Sequence, residues 1–279
     1  MQIIRDYRKP IFITLLLVVI LIVALIIVQN VSKPSSTPSS YLYPGEVTQY
    51  QGQNLTSVNN FLLDIDEHPD VAIDGTQYIN QTTYRLTVTG LVNRTAEFTY
   101  DDLVNNFTSS QQVGTLLCVE GWSVTMLWQG VPISDLIQEA GASTNATNLI
   151  FTGSDGYTTA LPLSYVVQNN LILAYKVNNV TLPAPAGFPL ALVAQSQYGY
   201  KWIKWVTEIN VSNDSSYLGY WESRGYPNFA TVPGDPNNSR TPSNYVPVAE
   251  AIAVSIAAAV IATVVYATLK KKPRKQAIN

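Results

Sequence analysis

Cysteine and histidine are almost absent from this chain, with one of each, Cys118 and His68, among 279 residues. A single Cys forbids an intrachain disulfide and excludes Cys-rich zinc and iron–sulfur sites. A single His excludes two-His metal centres, bis-His haem ligation and a Ser-His-Asp triad with a base to spare. Charge is scarce too, at 13% Asp, Glu, Lys and Arg. Chemistry here must use a cofactor, the carboxylates or that one thiol. Apolar residues, at 47%, are ample for a core, and the length allows one large domain or two small ones.

Two apolar runs stand at the ends. Residues 11–29 form a run of 19 residues, long enough to cross a ~30 Å hydrocarbon core as a helix. Arg5, Arg8 and Lys9 precede it, and no small-residue cleavage site follows, so an uncleaved anchor is expected. Residues 249–269 form a second expected transmembrane helix, followed by Lys270, Lys271, Lys272, Arg274 and Lys275. The positive-inside rule places residues 1–10 and 270–279 in the cytoplasm and everything between the helices outside, a two-pass cell-membrane protein. Eight of the 16 basic residues lie at those ends, leaving 8 against 17 acids in residues 30–245. A segment so acidic, with no basic stripe, is no nucleic-acid partner.

Asn-x-Ser/Thr sequons agree with that topology. They fall at Asn30, Asn54, Asn80, Asn93, Asn106, Asn145, Asn179, Asn210, Asn213 and Asn237. N-glycans on an outer face are the expectation, and the Tyr-, Asn-, Ser- and Thr-rich, disulfide-free composition suits an archaeal surface protein. Residues 30–45 read as a Ser/Pro linker, 46–226 as the external domain, and 227–248 as a Pro/Asn-rich descending linker.

The domain's pattern is α+β and strand-dominated. Tyr84–Thr89 alternates as a strand and stops at Gly90, Thr99 caps a short helix through Val104, and Thr115–Val119 reads as a buried strand. A helix is expected from Pro132 to Gly141, with short strands at Leu149–Thr152, Leu171–Tyr175 and Leu190–Ala194. A strand is predicted with Ile203, Trp205, Thr207, Ile209 and Val211 on one face and Lys204, Glu208 and Asn210 on the other. Asp64, Asp66, Glu67, Asp70 and Asp74, clustered around a structural His68, read as a solvated acidic loop lacking the Gly turn and closing Glu of a calcium site.

Cys118 sits where a strand breaks, in Leu117-Cys-Val-Glu-Gly-Trp-Ser123. Two readings fit the residue: a small packed hydrophobe, or a metal thiolate for a cofactor that brings the other ligands. The run from Cys118 to Pro132, Cys-Val-Glu-Gly-Trp-Ser-Val-Thr-Met-Leu-Trp-Gln-Gly-Val-Pro, resembles the sulfite oxidase / methionine sulfoxide reductase catalytic subunit superfamily. The likeness continues through Asp155–Leu163, Leu173–Asn179, Gly187–Val193, Tyr198–Trp205 and Gly219–Tyr226, in the family's order. It implies a sulfite-oxidase-like molybdopterin domain, flanked here by the two transmembrane helices. It also implies Cys118 as catalytic residue and sole protein ligand to molybdenum.

The resemblance further implies Asn60, Lys201, Trp202, Ile203 and Lys204 as cofactor-binding residues, with Tyr220, Trp221 and Glu222 closing over the site. Where relatives carry His or Asn and then Arg in Gly-x-Pro-x-Arg-Leu, this chain has Ala186 and Ala191, and Gln195 replaces the usual Pro. Arg85 and Arg94 match no site position. The function implied is oxygen-atom transfer by an outward-facing enzyme that exchanges electrons with an external carrier or respiratory partner. The other reading is a cofactor-free module of the same fold, serving as a glycosylated subunit of a membrane respiratory complex.

Overall fold

The computed structural model describes residues 41–67 and 72–232. Both expected transmembrane helices, most of both linkers, His68, Asp70, Asn30 and Asn237 lie outside them. Among the described residues no helix is long and apolar enough to cross a membrane.

A hairpin of β1 (Gln49–Tyr50) and β2 (Gln53–Asn54) leads into α1 (Val58–Glu67). Then come β3 (Arg85–Gly90), β4 (Ala96–Thr99), α2 (Tyr100–Asn105), β5 (Ser110–Leu117) and β6 (Ser123–Pro132). Next are α3 (Ile133–Glu139), β7 (Asn148–Gly153), β8 (Thr158–Pro162), α4 (Leu163–Gln168) and β9 (Ile172–Val177). β10 (Val180–Thr181), β11 (Ala191–Val193) and β12 (Val206–Ser212) complete the strands.

Two five-stranded sheets result. One runs β4-β3-β12-β7-β8; the other runs β10-β9-β6-β5, with β11 also pairing β9. β12 lies parallel to β3 and antiparallel to β7, so a strand from late in the chain fills the centre of the first sheet. Leu86 and Val88 of β3 alternate inward with Ile209 and Val211 of β12. Six of the ten residues of β6 and five of the six of β9 are buried, and both sheets feed one apolar cluster. Thr99 caps α2 as expected: its hydroxyl accepts from Asp102 N, while Asp102 accepts from Thr99 N.

Several sequence expectations are corrected. Asp64 and Asp66 lie in the last turns of α1, because Val58, Phe61, Leu62 and Ile65 form an apolar stripe that carries the helix past them. The strand expected over 203–211 starts at Val206, since Trp205 takes a left-handed φ of 51° and breaks the extension. Lys204 therefore precedes the strand and shares no face with Glu208. Within the described start of the expected 227–248 linker, Ala230 and Thr231 are buried, and Thr231 bridges Gln197.

Candidate functional site

The β5–β6 connection makes the site. Cys118 N donates to Trp122 O at 2.9 Å and Gly121 N to Cys118 O at 3.1 Å, closing a tight turn. Gly121 sits at φ 96°, a left-handed conformation that a side chain would strain. The turn leaves Cys118 half-buried on the wall of a cavity with about 680 Å³ of empty space, counting solvent at its mouth.

Each wall arrives on a separate element. Phe61 and Ile65 come from α1, Leu116 and Trp128 from β5 and β6, and Ala191 and Leu192 from β11. Ala186, Tyr200, Trp202 and Lys204 come from the connections around β11. α1 is held in place by Glu46, which accepts from Val58 N at 2.6 Å, and by Asn178. The Asn178 amide donates to Thr56 O at 2.8 Å and accepts from Leu127 N at 2.9 Å. Three aromatic rings pack in series, Phe61 on Trp128 at 5.8 Å and Trp128 on Trp202 at 5.6 Å, between centroids. Their indoles are anchored from behind, Trp128 Nε1 on Gly114 O at 3.2 Å and Trp202 Nε1 on Gln197 O at 3.0 Å.

Lys204 brings the cavity's cation. It is 6% exposed, donates to Pro185 O at 3.2 Å and lies over the Trp205 ring at 4.6 Å. Burial pushes its ammonium down to about 8, with Asp155 pulling the other way. Gly187, at φ 112°, lets Lys204 and Ala191 approach: a Cβ there would lie 2.9 Å from that of Ala191 and 3.1 Å from that of Lys204.

The expected site residues separate. Cys118, Trp202 and Lys204 meet in the cavity. Ile203 is fully buried, and its carbonyl accepts from Leu192 N at 2.9 Å, keying β11 to this wall. Asn60 is half-buried on α1, one residue before the lining Phe61, and does not itself line the cavity. Lys201 points away: it is fully buried and ion-paired with Glu222, also bonding Ala160 O at 3.1 Å and Asn228 Oδ1 at 3.3 Å. Burial also lowers its ammonium's pKa, and Glu222 opposes the shift. Tyr220, Trp221 and Glu222 do not close over the cavity; Glu222 braces it from behind. Sequence reasoning missed Phe61, Ile65, Leu116, Tyr200 and Leu192, whose apolar character carried no signal beyond the core.

Residues 73–221, more than half of the chain, match the oxidoreductase molybdopterin binding domain family, and the chain belongs to that family. Molybdopterin is its cofactor. Among curated proteins it is 34% identical over 154 residues to the putative protein-methionine-sulfoxide reductase subunit YedZ1 of Azospira oryzae. That match covers 55% of this chain and 58% of that protein. It is 33% identical over 150 residues to the uncharacterized oxidoreductase YuiH of Bacillus subtilis, covering 53% and 75%. To the protein-methionine-sulfoxide reductase catalytic subunit MsrP of Gluconobacter oxydans it is 27% identical over 186 residues, covering 61% and 59%. The chain thus spans less than two thirds of the first and third of these relatives. The solved sulfane dehydrogenase SoxCD of Paracoccus pantotrophus aligns at a TM-score of 0.48 and 26% identity, over 50% of this chain and 41% of that one.

The cavity fits this cofactor in its donor set. A lone thiol on the wall suits a soft metal that arrives with its remaining ligands, and among the described residues no cluster of His, Cys, Asp or Glu competes for it. Flat aromatic walls suit a fused ring, and the desolvated Lys204 suits an anionic group.

Proposed function

We propose that this chain is a membrane-anchored, outward-facing molybdopterin-dependent oxidoreductase that catalyses oxygen-atom transfer and exchanges electrons with an external carrier or respiratory partner. The carrying observation is the Cys118 thiol on the wall of a cavity that also holds the buried Lys204. When bound, molybdopterin supplies two-electron oxygen-atom chemistry.

The chain's own residues do the rest. Cys118 gives the metal its protein bond, as the thiolate rather than the thiol. Trp128, Trp202 and Phe61 exclude water, which strengthens every charge interaction inside. Lys204 offsets negative charge from a position already desolvated. Two relatives bear names that specify reduction of methionine sulfoxide in proteins, which supports a sulfur-bound oxygen as the atom moved. Reducing such an S=O bond takes two electrons and two protons and releases water. With Cys118 assigned to the metal, one His makes no ligand set for a haem or copper centre in this sequence, which supports an external carrier as the electron source.

Ala186 and Ala191 in the lining support one other reading, a cofactor-free module within a membrane respiratory complex, because neither can bind an anion. Cys118→Ser separates the two. The change swaps a soft thiolate for a hard hydroxyl of nearly equal volume, so the fold should lose only ~1–3 kcal/mol. Turnover should fall by orders of magnitude, and the metal's electronic spectrum should vanish or shift. An unchanged molybdenum spectrum and turnover would remove the ligand role.

A further inference from the structure

The segment Tyr198–Trp202 covers Cys118 from one side. Tyr198 bridges Leu117 in parallel, and a Cβ built on Gly199 would lie 3.5 Å from Leu117 O and 3.6 Å from Cys118 Cα. Tyr200 and Trp202 then form cavity wall, while Lys201 between them turns its side chain to the opposite side. There its ammonium meets the Glu222 carboxylate, both side chains fully buried. Glu222 belongs to the turn Glu222–Arg224 and takes a second hydrogen bond from the Thr159 hydroxyl of β8, at 2.7 Å. Wall, edge strand and C-terminal turn are thus joined at one ion pair. Tyr157 and Tyr200 add hydroxyl bonds to Tyr200 O and Pro227 O, at 2.6 and 2.8 Å.

We propose that Lys201 and Glu222 are positioning residues for the cavity: their ion pair bolts the Tyr198–Trp202 wall in place and sets access to Cys118. The two buried charges compensate each other only while both are present; the Lys201 and Thr159 bonds both fall on Glu222 Oε1, and Oε2 takes no hydrogen bond among the described residues. With one partner removed, the other is an uncompensated charge in an apolar interior, and it is relieved by moving toward water. Lys201 cannot move outward without carrying Tyr200 and Trp202 with it. An apolar pair of similar volume has no such charge to relieve and keeps the wall closed. The consequence for cofactor retention rests on the Cys118 cavity being the molybdopterin site; the consequence for access to the thiol does not.

Cys118 is the only cysteine in the sequence, so its rate of reaction with a thiol reagent reads the wall directly. The full-length chain, prepared free of cofactor, is compared with Lys201→Met, Glu222→Gln and the double variant Lys201→Met/Glu222→Leu. The rate is read well below each melting temperature, where a purely structural loss of stability does not move it. Each single variant should react at least ~10-fold faster than the parent, and the double variant within about 2-fold of it. Retention of molybdopterin by the loaded chain should follow the same order. Single variants reacting at the parent rate would overturn the proposal. So would a folded double variant as reactive as the singles, the pattern expected if Lys201 acts without Glu222. If the singles fail to fold, the double variant decides: a protected thiol supports the bolt and a reactive one ends it. A chain that takes up no molybdenum in any variant removes the cofactor reading and leaves the thiol rates to decide.

Discussion

Lys204 holds its charge where water scarcely reaches, and that gives the cavity a pH dependence. Burial lowers its pKa from 10.5 to about 8, so in the empty cavity the ammonium is present below that pH and lost above it. An anion binds the charged form better, so affinity for an anionic cofactor falls as pH rises through about 8. A bound anion stabilises the ammonium and moves the step higher in the loaded protein. Lys204→Met should weaken retention and flatten this pH dependence; cofactor dissociation followed across the alkaline range measures both. Cys118 and Lys204 were legible as site residues because their motifs surround them. Lys201 is read from the same run as Lys204, yet its side chain faces Glu222 instead, a partner 21 residues away that only the fold reveals.

Among the elements, β6 and β9 approach closely at Gly130, where the register shifts between Gln129 and Gly130. A Cβ on Gly130 would lie 2.0 Å from Leu173 O and 2.6 Å from Ala174 Cα, backbone atoms with no rotamer to escape through. Gly130→Ala should therefore cost roughly 3 kcal/mol or more, read as a fall in the denaturation midpoint without a change in slope. Trp128, two residues earlier, carries the disturbance into the cavity wall. The strand positions of this region were readable from apolar runs bounded by turn residues. The start of β12 was not, because the apolar alternation runs back to Ile203 while the left-handed Trp205 interrupts it. Period-two patterns report which residues face inward; they do not report a local reversal of φ. Nor does any local pattern show that β12 inserts parallel to β3, a pairing across more than a hundred residues.

At the scale of the molecule, eight sequon asparagines lie among the described residues, and seven of them are exposed. Asn210 differs: it is half-buried in the central strand β12, and its amide donates to Thr89 Oγ1 at 3.1 Å. An outward-facing domain should carry N-glycans at exposed sites such as Asn80, Asn93 and Asn145 and none at Asn210, which peptide mass mapping before and after deglycosylation checks. The central claim remains the cofactor at Cys118, and metal analysis of the full-length protein purified from its own host tests it most directly. The account predicts about one molybdenum per chain, released together with a pterin on denaturation and absent from Cys118→Ser. Native protein with no molybdenum would contradict it, and the chain would then be a module that keeps the fold without the chemistry.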